Sequence, residues 1–68
     1  VRIKQAWESI MGPAVGKRTS DIRIKNDTLI ISVTSAPLRE ELQFQKEKII
    51  ELMNQELGAV YLKGAVIQ

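Results

Sequence analysis

Four cations stand close together in this chain: Lys17 and Arg18 side by side, then Arg23 and Lys25 two residues apart. Such a run supplies phosphate contacts, whose affinity is electrostatic and falls as salt rises. No side chain stands out as a base reader, so the pattern implies weak binding of nucleic acid without sequence preference. Catalysis has less to build on. The chain has no His and no Cys. The commonest general base and the strongest nucleophile are therefore absent. Glu40, Glu41, Glu47, Glu51 and Glu56 fall on a helical stretch where solvated charge is the ordinary outcome, and no Asp/Glu group has calcium-loop spacing. The expectation is a non-enzymatic chain without cofactor or metal.

Two glycine patterns resemble phosphate cradles and fail on spacing. Gly16-Lys17-Arg18-Thr19 has Met11 where a phosphate loop needs its first Gly, and Arg18 where it needs Ser or Thr. Gly12-Pro-Ala-Val-Gly16 has one residue too many for the Gly-x-x-Gly backbone clamp. A helix terminator followed by a turn explains both. Trp7 shares a 3–4 spacing with Ile3, Ile10 and Met11, which favours a core residue over a base-stacking platform. Phe44 falls away from the neighbouring apolar stripe, amid Glu40, Glu47, Lys48 and Glu51. Two outcomes are open for it: a partner contact, or a place under the N-terminal segment or the last strand.

The elements that position these residues follow from periodicity. Ile3, Ala6, Trp7, Ile10 and Met11 form one face of a helix that Gly12-Pro13 ends, with Ala14 and Val15 extending a short second turn. Asp21 to Lys25 alternates, with Ile22 and Ile24 inward and Arg23 and Lys25 outward. Asn26-Asp27 suits a two-residue turn, and the β-branched Thr28–Thr34 stretch reads as the antiparallel partner. Ser35 or Ala36 caps the next helix, with Pro37 and the acidic Glu40 and Glu41 in its first turn. Leu38, Leu42, Ile49, Leu52 and Met53 line one stripe of a single long helix ending near Gly58. Val60 to Ile67 reads as a third strand, with Gly64 marking a bulge or a close approach. The order helix, strand, strand, helix, strand predicts an α+β two-layer sandwich: two helices on one face of a three-stranded sheet.

At 68 residues the chain makes one domain, residues 1–68, with a thin core. No apolar run approaches the roughly 18 residues of a membrane helix. No signal peptide is visible, and the lack of cysteine fits a cytoplasmic protein. The net charge of +2 is unevenly spread. Residues 1–35 carry six cations against three carboxylates, a balance of +3, and residues 36–68 carry four against five, a balance of −1. A basic half joined to a mildly acidic half implies a directional surface.

The chain resembles the DciA-type domain of bacteria over nearly its whole length. The resemblance is carried by Trp7-x-x-Ile10-x-Gly12-Pro13, Thr19-Ser20, Asn26-Asp-Thr-Leu29, Ser35 with Glu41-Leu42, and Leu52-Met-Asn54-Gln-Glu-Leu57-Gly58. It departs at the Asn-Asp turn, where the family often has a Gly. These are packing and turn residues, so the match speaks to fold and not to chemistry. It implies a KH-like fold, a replicative DNA helicase as partner, and some affinity for DNA. In that frame Lys17, Arg18, Arg23 and Lys25 would hold nucleic acid, while Phe44, Glu40 and Glu47 would meet protein. The alternatives are a KH-like RNA-binding module, or a protein that self-associates through its last strand.

Overall fold

A computed structural model describes residues 3–58 and 62–68. Helices α1 (Ile3–Met11) and α2 (Pro13–Arg18) lead into strands β1 (Thr19–Lys25) and β2 (Thr28–Val33). Helices α3 (Ala36–Phe44) and α4 (Lys46–Leu57) follow, and β3 (Gly64–Ile67) ends the chain. The sheet order is β1-β2-β3, with β1 antiparallel and β3 parallel to β2. This is the α+β arrangement of helices on one sheet face; α1 ends before Gly12-Pro13 as expected, the short turn after it forms α2, and the expected long helix is divided in two.

The hairpin turn needs positive φ at both central residues, and Asn26 (φ 53°) and Asp27 (φ 62°) supply it. Register then sets the faces. Leu29, Ile31 and Val33 are buried, and Ile22 opposite Ile31 and Ile24 opposite Leu29 pack against the same core. Ile67 opposite Ile31 and Ala65 opposite Leu29 continue these rows into β3. Trp7 has no exposed surface, and its indole Nε1 donates to Thr19 Oγ1 at 2.9 Å. That hydroxyl donates in turn to the Val15 carbonyl at 2.8 Å. The core thus takes the full apolar ring and still satisfies its one polar atom.

Several expectations are corrected. The long helix is two helices, because the chain breaks at Gln45, whose N–H donates to the Leu42 carbonyl at 3.0 Å. The break lets α3 touch β2 and β3 while α4 packs on α1 and β3. Ser35 is the cap, its Oγ accepting from the Leu38 N–H at 3.3 Å, and α3 therefore starts at Ala36. Glu40 and Glu41 consequently lie beyond the first turn, which carries no acidic residue. Gly64 marks neither a bulge nor a tight approach: a Cβ there would meet Thr28 at 3.8 Å, ordinary contact. The irregularity lies in β1, where the register shifts between Thr19 and Asp21 and leaves Ser20 as the extra residue. The third strand starts at Gly64; Val60 and Tyr61 lie outside the described residues.

Candidate functional site

The sheet face away from the helices is built by register. Residues directly paired share a face, so Arg23, Ile30 and Val66 form one row across the three strands. Lys25, Thr28 and Gly64 form the row on one side, and Asp21 with Ser32 the row on the other, where Gln68 Nε2 donates to Ser32 Oγ at 3.3 Å. Arg23 and Lys25 are exposed as expected, but Arg23 is not free. Its Nη1 lies 2.8 Å from Asp21 Oδ2. The middle of the face is apolar, with Val66 42% exposed beside Ile30.

Lys17 and Arg18 are exposed in the last turn of α2, immediately before β1. Strand β1 then runs for seven residues. At about 3.3 Å per residue it separates this pair from Lys25 by roughly 20 Å. The four cations therefore form a row along one edge of the sheet rather than a cluster. Such a row can follow a phosphate backbone, which presents one phosphate per ~3.4 Å of duplex strand.

The second region lies in the helical layer, where α3 meets α4. Phe44 is the last residue of α3 and is 87% exposed, so it is not folded under any other described segment. Glu40 sits one turn before it on the same helix, which places the two side by side. Glu47, in the first turn of α4, joins Phe44 around a shallow concavity that Gln43, Gln45, Lys46 and Lys48 complete. Glu40 and Glu47 make no ion pair among the described residues. The structure thus brings the expected protein-facing residues together, on the layer opposite the open sheet face.

Sequence reasoning missed two residues. Asp21 counts as one more strand charge until the fold shows it clasping Arg23. Asn54, only 7% exposed, accepts from the Leu62 N–H at 3.0 Å and donates to the Leu62 carbonyl at 3.3 Å. Its amide anchors the segment leading into β3. The one signal was a polar residue beside Met53 on the inner side of α4.

A family model described as Dna[CI] antecedent, DciA matches residues 1–65. The chain belongs to the DciA family. No curated protein and no solved structure matches it. Membership gives this DciA-type domain a role in DNA replication related to helicase loading, in a family not known as catalytic. Among the described residues, no group of three or more acidic, His or Cys side chains is placed to hold a metal ion. No described helix is long and apolar enough to cross a membrane.

Proposed function

We propose that residues 1–68 act as one non-enzymatic adaptor domain of the bacterial cytoplasm. It binds the replicative helicase through the α3–α4 joint, and holds nucleic acid weakly, without sequence preference, along the cation row. The helicase, not this chain, hydrolyses ATP. The observation that carries the reading is Phe44. The chain has one Phe, one Trp and one Tyr, and it buries Trp7 fully while holding Phe44 in water between Glu40 and Glu47. Leaving a Phe exposed forgoes about 1.5–3 kcal/mol of burial. A partner surface with an apolar pocket and flanking cations would recover it.

The experiment is a binding assay of the domain against purified replicative helicase, with Phe44→Ser as the comparison. Loss of capture with an unchanged melting temperature supports the reading, and equal capture by both proteins overturns it. The nucleic-acid half is tested by affinity for single-stranded DNA, duplex DNA and RNA at matched salt. Each phosphate contact on duplex DNA contributes a slope of about −0.9 in log K against log salt. A flat salt dependence removes this half, and a clear preference for RNA would favour a translation role instead.

A further inference from the structure

We propose that the outer edge of β1 docks one extended partner segment in which acidic residues alternate with apolar ones. This goes beyond the adaptor reading, since it uses backbone groups of β1 rather than Phe44 or the cations alone.

The free groups follow from hydrogen-bond parity. Val33 donates its N–H to the Gln68 carbonyl at 2.9 Å, and Gln68 donates to the Ile31 carbonyl at 2.8 Å. The odd-numbered peptide groups of β2 therefore face β3. Its even-numbered groups, at Thr28, Ile30 and Ser32, face β1, where they oppose Lys25, Arg23 and Asp21. The N–H and C=O of Ile22 and Ile24 consequently point out of the sheet. Among the described residues, no turn, loop or side chain hydrogen-bonds to them. The opposite edge differs. Strand β3 has four residues, and its outward Ile67 carbonyl already accepts from the Gln43 side-chain amide at 3.0 Å. Among the described residues, the short edge is met at one carbonyl from within and the longer edge is open.

Side chains select the occupant. A strand added beside β1 lies about 4.8 Å away and alternates its side chains between the two sheet faces. On the open face it meets Arg23 and Lys25, where Asp21 offsets one of the two charges. Acidic side chains complement the remaining positive charge, and Lys17 and Arg18 extend it beyond the strand end. On the helix-covered face it meets Ile22 and Ile24, half-buried at the rim of the core, where apolar side chains are complementary. A second copy of β1 would bring the same net positive row to this edge, and charged edge strands of this kind disfavour self-pairing.

The test is amide exchange by NMR on the full chain, with the probe peptide acetyl-Glu-Val-Glu-Val-Glu-Val-Glu-amide. The Ile22 and Ile24 amides are expected to exchange quickly in the free chain. Bound peptide should slow them at least tenfold, with contacts from its valine methyls to both isoleucines. A peptide N-methylated throughout should give no protection, and the Lys-for-Glu peptide should bind at least tenfold more weakly. Slow exchange in the free chain would overturn the proposal, because the edge would already be covered. So would equal binding of the N-methylated peptide, shifts confined to the surroundings of Phe44, or concentration-dependent protection matched by dimers in sedimentation. Loss of helicase capture in the Phe44→Ser protein leaves this outcome untouched, so the two readings fail separately.

Discussion

Strand β1 and the α3–α4 joint both put unusual groups into solvent, and they do so at different cost. The cations of β1 and α2 are exposed where charge is most easily kept, and Arg23 even has a neighbouring carboxylate. Exposed charge of this kind costs little, so by itself it argues weakly for function. Phe44 is the opposite case. Its ring forgoes burial in a small chain with a thin core, and nothing among the described residues covers it. Function is legible where the fold gives up something it could have had.

The largest expected effect erases the comparison altogether. Trp7→Ala removes the ring on which α1, α2 and β1 converge and should cost about 3–5 kcal/mol. Small domains hold only about 5–15 kcal/mol in total, so thermal melting should show partial or complete loss of folding and both regions should fail together. A mutant that melts like the parent yet no longer binds would instead make Trp7 a contact residue.

Next in size is Arg23→Glu with Lys25→Glu. Circular dichroism should be native, since both side chains face solvent. DNA binding should largely disappear and helicase capture should persist. Retained DNA binding with an unchanged salt slope would reduce the row to ordinary surface charge. Phe44→Ser should do the reverse: stability within about 0.5 kcal/mol of the parent, and helicase affinity lower by about 1–2 kcal/mol in a binding isotherm. Strong destabilisation would show that the ring supports the fold after all.

The smallest effect sharpens the β1 side. Asp21→Asn releases Arg23 from its 2.8 Å ion pair. Exposed pairs are worth about 0–1 kcal/mol, so the melting temperature should hardly move. DNA affinity should rise a few-fold and its salt slope should steepen. An unchanged slope would mean that Arg23 does not touch phosphate.

The parts of the fold that depend on local alternation were open to reading. Asp21–Lys25 could take only one register without burying two cations, and Asn26-Asp27 admits the positive φ that its turn requires. The place of Trp7 followed from its stripe. The break at Gln45 did not, because Leu42 and Ile49 lie seven residues apart and stay nearly in phase on a continuous helix. The missing apolar residue at positions 45 and 46 was the only trace. Parallel pairing of β3, the Asn54 anchor and the Arg23–Asp21 contact are tertiary events, set by which segments meet. Of the site, composition could locate cations and one misplaced Phe. Only the fold could show a row of about 20 Å, an apolar middle and an unpaired strand edge.

The sheet is closed in two unlike ways, and this sets an order of assembly. Strands β1 and β2 are joined by two residues, a hairpin that forms in about 1–10 μs from local encounter. Strand β3 reaches β2 only after residues 34–63 have crossed over through α3 and α4. That longer loop must be closed before its contacts are gained, so the hairpin is expected first and β3 last. In the native protein the sequence runs backwards: β3 should be the first strand to open. The amides that tie β2 to the end of β3, Val33 donating to Gln68 and Gln68 donating to Ile31, should then exchange sooner than those within the hairpin, and equal protection of both would contradict this order.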